Sequence, residues 1–432
     1  MLGLMSVSAF TCISCRPVDR RFAQVGASNV SIRPCHEPEW SGATMNSEEF
    51  RRHGKEMVDF VADLWENLRE RQALPDIKPG YVKEVVPEHP PSDPEEWETI
   101  FKDLESVVMK GNTYWHHPHF FAYFPTACSY PAIMADILSG GIAGIGFSWN
   151  SGPAMTELEM ATLDWLVDVL GLPEHFKNSH PGTGCGIIQN TASDATLIAI
   201  LTARARAVEA VKNEPTSFLS WMANTEFGKS VKSVLAKVRQ NSAHSSVDKD
   251  VMLCGVKLRK LRSTIDPQLK NYTVTKDTLE TAIKEDRARG LIPFIMIATI
   301  GTTSSCGMDR LDELGPICNR EHIYLHVDAA YAGSFLICPE FRYLSKGMEF
   351  VDSYNFNAHK AMLINFDCSP MCKQILQLCL QDSSKKMTNS NCSFRNTLVS
   401  CASELKTAAT RTTKLYAMLS TMTAVSIWYL QR

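Results

Sequence analysis

The chain has 432 residues, 44% of them hydrophobic and 21% charged, an ordinary globular composition with material for a large core and more than one domain. Its formal net charge of -3 gives no reason to expect nucleic acid or an anionic membrane as partner, and no run approaches the roughly 18 apolar residues that span a bilayer. The 14 cysteines are scattered; Cys12/Cys15 and Cys372/Cys379 lack His or Cys partners at zinc spacing, which leaves reduced thiols of a cytoplasmic protein and no metal site.

Residues 1–44 show no clean periodicity. The apolar start from Leu2 to Phe10 has no basic residue before it, against a secretory signal. Poverty in acids together with Arg16, Arg20 and Arg21 leaves a transit peptide open beside a disordered or extended start. From Met45 the pattern is regular. Asn46-Ser47-Glu48-Glu49 supplies capping residues for a helix with Phe50, Met57, Val58, Phe60, Val61 and Leu64 at helical spacing. Residues 86–94 form a proline-rich connector. Helical patterns at 94–109 and 130–138 flank an aromatic stretch, 115–126. Beyond Thr156, helices alternate with short apolar strands at 186–189, 251–254, 293–300, 323–327 and 362–366, the pattern of a mostly parallel sheet covered on both faces. Gly301-Thr302-Thr303 and Asp328-Ala329-Ala330 follow two of these strands, where open α/β sheets bind ligands. After Met371 the sequence turns Ser/Thr-rich and loses its period, with one greasy patch at 427–430.

Four features carry chemistry. Lys360 follows Ser353-Tyr354-Asn355-Phe356-Asn357-Ala358-His359 and precedes an apolar run; such a lysine is usually solvated, but a desolvated one can condense with an aldehyde. Asp328, in His326-Val327-Asp328-Ala329-Ala330-Tyr331-Ala332-Gly333, either caps a turn or faces a cofactor's pyridine nitrogen. Gly182-Thr183-Gly184-Cys185-Gly186 and then Thr191-Ala192-Ser193 before a helical run suit a tight turn or an anion site equally, and match neither a Walker loop nor a dinucleotide fingerprint. His244, in Ala243-His244-Ser245-Ser246-Val247 before another apolar stretch read as a strand, is structural or stacks on a ring.

Thr191-Ala192-Ser193-Asp194-Ala195-Thr196, the His244 motif, the Asp328 motif and Asn355-Phe356-Asn357-Ala358-His359-Lys360 occur in this order in aromatic-L-amino-acid (dopa) decarboxylases. So do Phe121-Ala122-Tyr123-Phe124-Pro125-Thr126, Gly146-Phe147-Ser148-Trp149 and Thr156-Glu157-Leu158-Glu159. From about residue 45 to 371 the chain resembles that family, the group II decarboxylases that depend on pyridoxal 5′-phosphate (PLP). The resemblance implies an α/β, aspartate-aminotransferase-like fold of type I with a mostly parallel sheet in its large domain. It divides the chain into an extension (1–44), a helical dimerisation segment (45–129), a PLP-binding large domain (130–371) and a divergent tail (372–432) where the family's small C-terminal domain is not recognisable.

It further implies that Lys360 holds PLP covalently, that Asp328 pairs with the ring nitrogen and that His244 stacks on the ring. Ala192, Ser193, Thr303, Ala330, Asn357 and His359 match cofactor positions. Trp115, Tyr123, Phe124, Thr126, Ile145 and Phe147, with His244, match positions that shape the substrate pocket, partly across a homodimer interface. The implied reaction converts aromatic L-amino acids such as dopa, 5-hydroxytryptophan or tyrosine to amines and CO₂ in cytoplasmic amino-acid and catecholamine metabolism. Alternatives are an inactive truncated isoform, aldehyde formation from dopa, and histidine as substrate. Aldehyde-forming members carry asparagine where His244 stands, which favours simple decarboxylation. Asn190, Ala361, Asn150 and Gly152 depart from the family pattern, and the mobile loop with the tyrosine that protonates Cα has no counterpart.

Overall fold

The computed structural model describes residues 45–124, 126, 128–182, 184–213, 235–240 and 243–374. The expectations for the extension 1–44, for Cys379 and for the patch at 427–430 fall outside the described residues. Two compact units divide the chain, Met1–Ala122 and Tyr123–Arg432.

In the first unit α1 (Ser47–Glu66) starts with the reciprocal cap its sequence announces: Asn46 Oδ1 accepts from the N–H groups of Glu48 and Glu49 at 2.9 and 3.0 Å, and Glu49 accepts from Asn46 N–H at 2.8 Å. The helix expected over 94–109 is regular only as α2 (Trp97–Asp103) and then widens into a π turn over Leu104–Val108. Trp97 Nε1 donates to Glu56 at 2.6 Å and Phe60 meets Phe101 edge-on, so α2 packs on α1.

The second unit opens with α3 (Tyr130–Ile142), capped by Ser129, and α4 (Pro153–Leu170), which ends at Gly171 in the left-handed conformation. There follow β1 (Gly184–Gln189), α5 (Ala192–Asn213), β2 (Leu235–Gln240), α6 (Ser246–Leu253) and β3 (Lys257–Leu261). A small hairpin, β4 (Thr264–Ile265) and β5 (Tyr272–Thr273), leads to α7 (Lys276–Ala288), β6 (Ile292–Thr299), α8 (Leu311–Arg320) and β7 (Tyr324–Asp328). Last come β8 (Ser353–Asn355), the single turn α9 (Ala358–Ala361) and β9 (Ser369–Gln374). Among the described residues seven strands form one sheet in the order β1-β9-β8-β7-β6-β2-β3, with β9 antiparallel to both neighbours and all other pairs parallel.

Both faces are covered, as the apolar strands require. Residues of α4, α7 and α8 pack with Met296, Ala298, Leu325, Val327 and Tyr354 on one face. On the other, Ala195, Ala199, Ile200 and Ala203 of α5 and Val247 and Val251 of α6 pack with Ile295, Ile297, Tyr324 and Met371. Two strand expectations are corrected. Residues 251–254 end helix α6, with Val251 and Cys254 buried and Met252 and Leu253 exposed, because so short an apolar run does not separate helix from strand; His244 therefore precedes a helix. Residues 362–366 form an irregular loop in which Leu363 takes φ 57° and is exposed, while Met362 and Ile364 are buried singly. Among the described residues no helix is long and apolar enough to cross a membrane.

Candidate active site

The carboxyl ends of β6, β7 and β8 lie side by side, since Thr299 pairs with Asp328 and Asp328 with Asn355. Because β9 is antiparallel to β1 and β8 alike, the carboxyl end of β1 and the start of α5 stand at this same end of the sheet. The sequence puts its candidate residues just past these strand ends. Strand β6 is anchored by Asp309, whose fully buried carboxylate accepts from Thr299 N–H and Val274 N–H, both at 2.9 Å; burial pushes its pKa up to about 6. Gly301 then turns at φ 89°, and a Cβ there would meet Ala332 Cβ at 2.8 Å, so only glycine fits. Thr303 is exposed in the turn that follows.

Asp328 is buried at the end of β7, and its Oδ1 accepts from Ala330 N–H at 3.1 Å. Across the strand Asn357 donates its N–H to Ala330 O at 3.2 Å, and its Oδ1 accepts from Ser369 Oγ at 2.7 Å. This fixes the residue that begins the turn carrying Lys360, whose own N–H donates to Asn357 O at 3.1 Å. Burial lowers the Lys360 pKa, with the Asp328 charge pulling the other way. The lysine Nζ stands 5.1 Å from the centroid of the Phe124 ring, and that ring stacks on Tyr331 at 3.8 Å. A partly desolvated amine, a buried carboxylate and a stacked aromatic wall are thus gathered from three distant stretches of sequence. The combination suits an aldehyde-bearing cationic ring: an amine to condense with it, an acid for its nitrogen, a flat apolar surface beside it.

His359 is part of this turn and is buried. Its Nδ1 accepts from Cys368 N–H at 2.9 Å, which puts the ring proton on Nε2, and its ring stacks on Phe366 at 4.0 Å. Burial, and next the Lys360 charge, lower its pKa from 6.5 to about 4. The unfolded chain therefore takes up this proton before the folded one does. Stability conferred by the neutral imidazole is complete above pH 6.5 and falls as pH drops toward 4, by about 3 kcal/mol in all. Urea unfolding of cofactor-free protein across that window should show this slope, and His359→Gln, which keeps an acceptor for Cys368 N–H, should flatten it.

Ala192 and Ser193 open α5, where Thr191 Oγ1 caps Asp194 N–H at 3.1 Å. The first-turn N–H groups of a long helix have no intrahelical partners, and with the helix dipole they suit a phosphate. The departure Asn190 occupies the turn just before them and Ala361 the last position of α9. His244 is exposed ahead of α6, its Nδ1 paired with Ser246 Oγ at 2.9 Å. Of the pocket residues, Phe124 is at Lys360 and Thr126 is part-buried; Tyr123, Ile145 and Phe147 are exposed, and Trp115 belongs to the first unit. The aromatic wall contains a residue to which the sequence assigned no role, Tyr331, which also meets Phe335 edge-on at 5.2 Å. It lies inside the Asp328 motif, and that position was its only signal.

Residues 79–401 match the family described as the pyridoxal-dependent decarboxylase conserved domain. The aromatic-L-amino-acid decarboxylase of Mus musculus is 48% identical over 328 residues, 76% of this chain and 65% of that protein. The one from Drosophila melanogaster is 50% identical over 327 residues, 76% of this chain and 61% of its own length. The chain thus spans a little under two thirds of these relatives. In structure it is similar to Oryza sativa TDC with PLP and tryptamine, with a TM-score of 0.70 and 32% identity over 77% of this chain and 68% of that one.

Proposed function

The chain belongs to the pyridoxal-dependent decarboxylase family, and from that premise we propose that it decarboxylates aromatic L-amino acids, of the dopa, 5-hydroxytryptophan and tyrosine type, to amines and CO₂. Its cofactor is PLP, and Lys360 is the residue that holds it. The observation that carries the reading is the Lys360 amine, held by burial toward its uncharged, nucleophilic form beside the Phe124 ring and within the field of the Asp328 carboxylate.

When bound, the cofactor supplies the electron sink for the pair released as the carboxylate leaves. The chain's own residues do the rest. Asp328 keeps a proton on the ring nitrogen by placing a buried negative charge beside it. Ala192 and Ser193, at the start of α5, hold the phosphate, with Thr303 and Asn357 around it. Asn357 keeps the lysine turn in place through its bonds to Ala330 and Ser369. His359, neutral, adds no second positive charge beside Lys360. Phe124 and Tyr331 give an indole or catechol ring a flat surface, joined by His244, Tyr123, Thr126, Ile145 and Phe147 in a pocket completed by a second copy of the chain.

Supporting that homodimer, α3 presents Tyr130, Met134, Ile137, Leu138 and Ile142 half-exposed along one helix, with Phe147 and Trp149 bare nearby in sequence. The eight cysteines among the described residues are all free, which supports a cytoplasmic setting. The domain division at residues 44, 129 and 371 is part of this reading, with the last strand of the large domain, β9, running on to Gln374.

Incubated with PLP and dopa, the protein should release amine and CO₂ in equal amounts. Aldehyde, ammonia and peroxide would reject simple decarboxylation. PLP binding without turnover would make the chain an inactive isoform.

A further inference from the structure

We propose that Asn355 is a positioning residue for Asp328, holding that carboxylate ionised and aimed at the cofactor's ring nitrogen; the inference rests on the reading of the site given above. Thr299, Asp328, Asn355 and Met371 form one row across β6, β7, β8 and β9. Residues paired across neighbouring strands point to the same side of a sheet. Tyr324, Ile295, Ile297 and Met371, which share this side, pack with Ala195, Ala199 and Ile200 of α5, so the row faces α5. Asn355 is 0% exposed there, and neither its Nδ2 nor its Oδ1 has a hydrogen-bond partner among the described residues. Thr299, on the other flank of Asp328, is 4% exposed and its Oγ1 is equally unpartnered.

A buried amide with both ends unpartnered bears its full desolvation cost, which a leucine of similar size would avoid. Folding alone therefore gives no reason for asparagine in this row, whereas the neighbouring carboxylate does. The reach is available. One row back, His326 Nδ1 and Ser353 Oγ bond at 2.8 Å across the same two strands. Rotation of the Asn355 amide offers its N–H to Asp328 in the same way, and a hydrogen bond to the charged form favours that form.

The test uses cofactor-free Asn355→Leu, Asp328→Ala and their double variant, each melted and titrated with PLP by absorbance and fluorescence. Asn355→Leu should melt at or above wild type yet bind PLP about tenfold more weakly, and should weaken Asp328→Ala no further. Unchanged PLP affinity in Asn355→Leu, or additive losses in the double variant, overturns the proposal. If Asn355→Leu does not fold, Asn355→Ala is read by the same two outcomes. Wild-type protein that fails to bind PLP would sink the reading of the site itself, and this inference with it. Wild-type binding that is lost in Lys360→Ala but unaffected by Asn355→Leu removes the positioning role alone.

Discussion

Cofactor-free Lys360→Ala, titrated with PLP, is expected to develop no visible absorbance band and to show no turnover of dopa, whereas wild type does both. The reason lies in the position of the amine. Half-buried against the Phe124 ring, it is held toward the uncharged form that attacks a carbonyl carbon, and Asp328 keeps it within reach of an acid. An amine that only neutralised charge would be replaceable by arginine, so Lys360→Arg should fail equally. Because burial of this group costs stability, the alanine variant should melt at or above wild type, which separates lost chemistry from lost folding. A band surviving in Lys360→Ala, or borohydride labelling of another lysine, would end the assignment.

Removing the Asp328 carboxylate should have the next largest effect. Asp328→Ala is expected to bind PLP weakly and to decarboxylate about 10²–10³-fold more slowly, the usual loss when a group aimed at charge in a water-poor site is deleted. The carboxylate is buried, bonded to Ala330 N–H and set in the middle of the sheet. Asp328→Asn keeps the shape and loses the charge. If it matched Asp328→Ala, charge is what matters; full activity in either variant would show that the ring nitrogen needs no acid here.

Much of this site could be read from the chain because its motifs sit where strands end. The apolar runs at 186–189, 293–300 and 323–327 lie within or overlap β1, β6 and β7, and Asp328 closes the last of them. Strands with little apolar signal went unread. Strand β2 is Leu-Ala-Lys-Val-Arg-Gln, whose charges hide it, and β8 is three residues long with two polar side chains buried. Strand β9 is hidden for another reason: the family-like pattern ends at Met371 and Cys372 reads as the start of a divergent tail, yet Cys372 pairs with both β1 and β8. Non-local pairing leaves no periodic trace in so short a stretch. Tyr331 and Asn355 lie within motifs whose sequence announces no task for them, since what they do depends on neighbours supplied by other strands.

The antiparallel strand β9 has a consequence for how the protein is made. It joins the β1 edge, which leads into α5 and the proposed phosphate end of the site, to β8 and the strands beyond, yet it comes after Lys360 in the chain. A nascent polypeptide emerging from the ribosome therefore exposes every residue proposed to grip the cofactor while its central sheet still has a gap one strand wide. On the proposed reading, vitamin capture waits for that final stitch, and any message ending between codons 361 and 368 would yield Lys360 without the strand that closes its frame.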